Sequence, residues 1–276
     1  MARGFEQLAW EQTPLGVLGL RRRHDPTLGA EVFEVKLGDE FLMSSAFTAA
    51  EVALAELALA WCEDPALDSV GDGSAASAAS VASAASVASV ASAASVGEAA
   101  AGPAVGLEVA VGGLGLGFTT VAALADPRVT TVVVIEALPE VIGWHEQGLL
   151  ADIAPLADDP RVRFVAADLF ASLAAGDGLD PQEPGRRFDA VLVDIDHSPR
   201  AVLHPRHAAF YTPEGLTSLR SCLREGGVFG LWSDDAPDDD FLVTLGGVFD
   251  RVHAEVVRFD NPLTGGTSSN TVYLAR

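Results

Sequence analysis

The chain is short of cysteine, lysine and aromatic residues, and each shortage excludes something. Two cysteines, Cys62 and Cys222, stand far apart in 276 residues, which leaves neither a disulfide framework nor the paired spacing of a zinc site. Lys36 is the only lysine, so arginine carries almost all the positive charge. Aromatics make up 7% of the chain, so its core has to be built from Val, Leu and Ala. No bulky apolar run of about 18 residues is present to span a membrane. The long uncharged stretch, 73–97, is serine and alanine, too polar for that task. The N-terminus, MARGFEQLAWEQ, lacks the basic-then-apolar order of a signal peptide. These absences predict a cytoplasmic protein without a membrane partner. The net charge of −22 argues against a surface that neutralises nucleic-acid phosphates. It suits cationic ligands and, more simply, solubility.

Three regions differ in pattern. Residues 1–71 are β-rich with one helix. LGVLGLRRR (15–23), EVFEVKL (31–37) and EFLMSS (40–45) alternate as strands, with turns at Asp25-Pro26 and Gly38-Asp39. FTAAEVALAELALAWC (47–62) is helical in composition, with Thr48 at the N-cap and Glu51 at capping-box spacing. Residues 72–104 form a low-complexity insert in which serine recurs every third residue. That period matches neither helix nor strand, and few of its side chains can be buried, so a disordered surface loop is expected.

From 105 to 276 strands and helices alternate. GLEVAV (106–111), VTTVVVIE (129–136), RVRFVAAD (161–168), FDAVLVD (188–194) and VFGLWS (228–233) read as strands. TPEGLTSLRSCLREGG reads as a helix with a glycine stop, and a helix near 238–248 precedes a terminal hairpin of DRVHAEVVRF and SSNTVYLA. Apolar strands separated by helices predict a parallel α/β sheet covered on both faces. Ligands of such sheets bind beyond the carboxyl ends of the strands.

Polar residues mark those ends. Gly113, Gly115 and Gly117 follow the first strand and open a helix, where glycine permits a tight turn and close approach to a ligand. Glu136 ends the second strand, placed to accept from ribose hydroxyls. Asp168 ends the third, where an acceptor can meet an adenine amino group; each acid alone is also an ordinary helix N-cap. Asp194 closes the fourth strand, followed by Asp196 and His197. Together these residues outline a nucleoside pocket.

The segments VAVGGLGLG, VVVIEALPEVIGWHEQGL, VRFVAADLFASL, FDAVLVDIDHSP and FYTPEGLTSLRSCLREGGVFGLWS resemble the spermidine synthase family of polyamine aminopropyltransferases. The likeness covers roughly 105–276, with a weaker match over 31–62. It implies a Rossmann-like, seven-stranded sheet of the class I methyltransferase type behind a small N-terminal β region, and it suggests a homodimer. It also implies decarboxylated S-adenosylmethionine, or S-adenosylmethionine, as co-substrate, and a small-molecule amine as acceptor. On that reading Glu136 binds the ribose, Asp168 the adenine, and Gly113, Gly115 and Gly117 the amino-acid-derived tail. Asp194 takes the place of the catalytic aspartate, orienting the amine and accepting its proton. Asp196 would hold the substrate's far ammonium, with His197, Asp234 and Glu51 as further substrate contacts.

The chain departs from the family pattern at the amine side. GGGDGG becomes GGLGLG, with Gly115 where the aspartate that anchors the transferred aminopropyl amine would stand. D-x-x-D-P becomes D-I-D-H-S-P, and the Tyr-His pair before Glu51 is Ala49-Ala50. A metal would need three or four convergent ligands, and Asp194, Asp196 and His197, with His204, His207 and Asp234-Asp235 nearby, do not converge by spacing alone, so none is expected. Three functions stay open: aminopropyl transfer, methyl transfer from S-adenosylmethionine, and non-catalytic nucleoside binding by a degenerate pocket.

Overall fold

The computed structural model describes residues 4–13, 16–63 and 106–276. The serine-rich insert expected over 72–104 lies outside the described residues. Four strands, β1 (Glu6–Thr13), β2 (Gly16–Asp25), β3 (Ala30–Leu37) and β4 (Glu40–Ser44), pair in chain order as an antiparallel sheet. Helix α1 (Ala49–Glu63) follows. Strand β1 was not expected, because EQLAWEQT carries only a weak alternation. It exists through its pairing with β2, from Glu6 opposite Arg22 to Thr13 opposite Gly16.

The second sheet contains β5 (Leu107–Gly112), β6 (Val129–Glu136), β7 (Val162–Ala166), β8 (Phe188–Val193), β9 (Leu223–Ser233), β10 (Val252–Asn261) and β11 (Gly266–Ala275). Their spatial order is β10-β11-β9-β8-β5-β6-β7. The inner strands are parallel, and β11 runs antiparallel between β9 and β10. The helices are α2 (Phe118–Ala125), α3 (Pro139–Glu146), α4 (Leu169–Ala175), α5 (Pro213–Ser221) and α6 (Asp239–Gly246), with a 3-10 helix over Pro205–Tyr211. This is the expected α/β, seven-stranded, methyltransferase-type sheet.

Alternation along each strand divides the core. Val109 and Val111 join α1, α2 and α3 on one face, with Leu54, Ala58, Ala123 and Trp144. Ala110 faces α4, α5 and α6 with Leu169, Leu216 and Leu245. Burying each Val or Leu contributes roughly 1.5–3 kcal/mol, so a one-residue register slip is strongly opposed. Leu18, Leu20, Phe33 and Val35 belong to the first of these cores, which therefore continues into the small sheet. On the other face of that sheet Glu34, 3% exposed, accepts from Arg21 at 2.5 Å and Arg23 at 2.8 Å.

Two local expectations are corrected. Helix α5 ends at Ser221, and LREGG is the start of β9 rather than a helix tail. Leu223 pairs with Phe188, so sheet hydrogen bonding overrides the local glycine-stop signal. Thr48 does precede α1, its carbonyl accepting from Val52 N at 3.1 Å. Glu51, however, does not return to cap it; its carboxyl lies in the electrostatic field of Asp194.

Candidate active site

The chain leaves β5 toward β6 and β7 on one side and later returns to place β8 on the other, so β5 and β8 flank the point where strand order reverses. Such a point opens a crevice at the strand carboxyl ends. Here Asp194 N donates to Gly112 O at 2.8 Å, tying the end of β8 to β5, and Gly113 N donates to Ile135 O at 2.9 Å, tying β5 to β6. Gly113 has φ +91°, and a Cβ there would collide with the Asp194 carbonyl. Only glycine satisfies both demands.

The turn from Gly113 to Gly117 is gripped from several directions. Glu136 Oε2 accepts from Leu114 N at 2.9 Å and Oε1 from Leu138 N at 2.8 Å. Burial raises the Glu136 pKa, opposed by the surrounding backbone N–H groups. Gly115 has φ +47°, and a Cβ on it would lie 2.7 Å from Met43 Sδ and 2.9 Å from Met43 Cε, so β4 of the small sheet closes over this turn. Gly117, with φ +90°, is the N-cap of α2.

Asp194 follows β8 directly. Thr119 Oγ1, in the first turn of α2, donates to its Oδ2 at 2.8 Å. Burial pushes the Asp194 carboxyl up to about 6, while the Thr119 bond pulls it back. Glu51, from the first turn of α1, is raised to about 8, chiefly by burial and then by the negative charge of Asp194. Two carboxyls from chain segments far apart in sequence thus share one weakly solvated region. Close acids do not both ionise easily, so their protons are coupled.

Asp168 is exposed and caps α4, its Oδ1 accepting from Ala171 N at 3.0 Å. His197 and Asp234 come together through their backbones, Asp234 N donating to His197 O at 2.7 Å. Asp234 Oδ1 accepts from Asn270 Nδ2 at 2.8 Å.

Asp196 requires a correction. It is 1% exposed, and both of its oxygens are engaged within the protein rather than presented to a substrate ammonium. Oδ1 accepts from Leu203 N at 2.7 Å and pairs with His207 Nδ1 at 2.8 Å; Oδ2 accepts from Tyr211 OH at 3.0 Å. Asp196 therefore pins the segment after β8, while the His207 ring stacks on Phe170 with centroids 4.0 Å apart. Among the described residues no three His, Cys, Asp or Glu side chains are grouped to hold a metal.

Sequence reading missed Thr119, Met43 and His145. A hydroxyl in the helix turn just after GLGLG was an available signal for Thr119. Nothing local pointed to Met43 or to His145, whose Nε2 contacts Gly115 O at 2.9 Å; tertiary packing brings both to the glycine turn.

No family model matches the chain. Over 126 residues it is 33% identical to a polyamine aminopropyltransferase from Corynebacterium efficiens, a match covering 45% of this chain and 22% of that protein. The chain thus spans less than a quarter of that curated relative. A spermidine synthase structure from Thermotoga maritima superposes with a TM-score of 0.63 at 15% identity, over 98% of this chain and 72% of the other. A spermidine synthase in complex with the transition state analogue AdoDATO gives 0.62 at 16% identity, over 98% and 73%. The protein is an α/β protein with a class I methyltransferase-type sheet and a small antiparallel sheet before it. Within that class it is similar in sequence and in fold to the spermidine synthases, the polyamine aminopropyltransferases.

Proposed function

We propose that the protein is a transferase that moves an aminopropyl group from decarboxylated S-adenosylmethionine to a small amine. The observation that carries this reading is Asp194, a carboxyl raised to about 6 at the switch point of the sheet, between the glycine turn and Glu51. The similarity to polyamine aminopropyltransferases supports the choice of reaction.

In the reaction the amine nitrogen attacks the methylene carbon bound to the sulfonium. The new C–N bond forms as the C–S bond breaks, and its electron pair passes to sulfur, leaving a neutral thioether. The nitrogen must lose a proton, and Asp194 is the base that takes it. At neutral pH it is above its raised pKa and mostly ionised, yet close enough to it to accept a proton. Glu51, neutral near pH 7, becomes an ionised partner when an ammonium arrives beside it.

Gly113, Gly115 and Gly117 would cradle the nucleoside tail, Glu136 the ribose and Asp168 the adenine. Glu136 already orders the turn through Leu114 N, so its contact with a ribose would link ligand and turn. His197 and Asp234 stand at the ends of neighbouring strand loops, where acceptor contacts belong.

Methyl transfer from S-adenosylmethionine is a second reading. The favouring observation is Gly115, which contributes no carboxylate to the turn and has a thioether packed against it. Calorimetric binding of methylthioadenosine, S-adenosylhomocysteine and both sulfonium donors separates the two. Preference for the decarboxylated donor is expected; preference for the carboxylated one selects methyl transfer, and binding of none overturns both.

A cytoplasmic location, a homodimer and independence of nucleic acid and membrane belong to the same reading. The net charge of −22 disfavours a phosphate partner. No helix among the described residues is long and apolar enough to cross a membrane.

A further inference from the structure

His145 sits in the last turn of α3 and is 2% exposed. Its ring meets the glycine turn at two points. Nε2 lies 2.9 Å from Gly115 O, and Cε1 lies 3.0 Å from where a Cβ on Gly117 would stand. Its other ring nitrogen, Nδ1, is buried on the side of Ala154, whose backbone, like that of Gly115, favours a proton on the ring while burial opposes it. A carbonyl can only accept, so the Nε2–H tautomer is the one that makes this bond. Nδ1 is then the lone-pair nitrogen.

Burying a polar ring has a desolvation cost, which a residue serving only as filler would avoid. Phe would fill a similar volume without it. What His145 adds over Phe is one N–H directed at the carbonyl of Gly115, a residue held in the left-handed region at φ +47°. Glu136 holds the amide of Leu114 on one side of that peptide segment and His145 holds the carbonyl on the other. The peptide planes between them then have little freedom to rotate. A turn fixed before ligand arrives spares the ordering cost that binding would otherwise incur.

We propose that His145 is a positioning residue for the nucleoside tail, fixing the Gly115 carbonyl so that the Gly113–Gly117 turn is already shaped to receive the donor. It touches neither the reacting atoms nor the donor itself. The inference rests on the proposed use of this turn for a sulfonium nucleoside.

The test uses the full chain, with methylthioadenosine as calorimetric probe and two variants. His145→Phe keeps an aromatic ring and removes the N–H; His145→Gln restores an N–H at the same reach. Loss of one neutral hydrogen bond predicts Kd about tenfold weaker for His145→Phe and a return to within about threefold for His145→Gln. Hydrogen exchange of the 113–117 segment, which needs no ligand, should rise in His145→Phe and not in His145→Gln. In turnover assays the His145→Phe effect should fall on the donor KM with kcat little changed.

Equal binding and exchange in His145→Phe and the native protein would overturn the proposal. So would a His145→Gln variant as impaired as His145→Phe, because packing alone would then account for the residue. If His145→Phe does not fold, His145→Gln with native binding and exchange still supports the role of the N–H, and loss of either overturns it. If the native chain binds no nucleoside, the proposed function and the donor-binding role both fail, while the exchange result still reports whether the N–H orders the turn.

Discussion

Thr119 Oγ1 donates a 2.8 Å hydrogen bond to Oδ2 of Asp194, joining the first turn of α2 to the end of β8. This bond favours the ionised carboxylate and opposes the burial that raises its pKa to about 6. Thr119→Val removes the donor at nearly constant volume. The acid limb of the pH–rate profile is expected to move to higher pH, because the base now needs a lower proton concentration to ionise. Asp194→Asn should lower turnover by about 10²–10⁴-fold, the range of a lost general base. Nucleoside affinity should hold, as calorimetry would verify; unchanged turnover would remove Asp194 from the role of base.

Glu51 predicts a different pH response. Its folded pKa, about 8, lies above the ordinary glutamate value. Between the ordinary value and about 8 the native state binds more protons than the unfolded chain, so this group makes stability fall as pH rises through that window. Glu51→Gln should flatten that fall and raise Tm relative to the native chain most clearly above pH 8. A steeper fall in Tm with pH for the variant would contradict the assignment. The same substitution should remove a kinetic transition near pH 8.

Gly115 and Met43 should be energetically coupled. Gly115→Ala pays for a left-handed φ, about 1–2 kcal/mol, and in addition meets Met43 Sδ at 2.7 Å. Met43→Ala clears that space. In a double-mutant cycle the pair is expected to show a coupling of about 0.5 kcal/mol or more, with Met43→Ala relieving part of the Gly115→Ala defect. Strict additivity in denaturant melts would show that the two do not press on each other.

Asp196 should behave as an anchor rather than a substrate contact. Asp196→Ala leaves Leu203 N, His207 and Tyr211 OH without their acceptor, at an expected cost of about 3 kcal/mol or more. Proteolysis and hydrogen exchange over 197–211 should increase. A folded variant with normal exchange there and a raised acceptor KM would return Asp196 to the amine site.

Much of the α/β architecture was legible because apolar alternation and breaker residues are local signals. Strand β6 begins and ends where VTTVVVIE does. The strand-end positions of Gly113, Glu136, Asp168 and Asp194 followed from the same pattern. Strand β1 and the first half of β9 were illegible because their partners, β2 and Phe188 of β8, create them.

The sequence by itself determined where the acids lie along the strands, and hence that a polar site forms at their carboxyl ends. Tertiary structure alone decided what each acid experiences. Asp194 and Asp196 are two residues apart, yet one is held by Thr119 beside Glu51 while the other is sealed by Leu203, His207 and Tyr211. A carboxyl's proton affinity and availability depend on desolvation and on partners from other chain segments, and only packing brings those together.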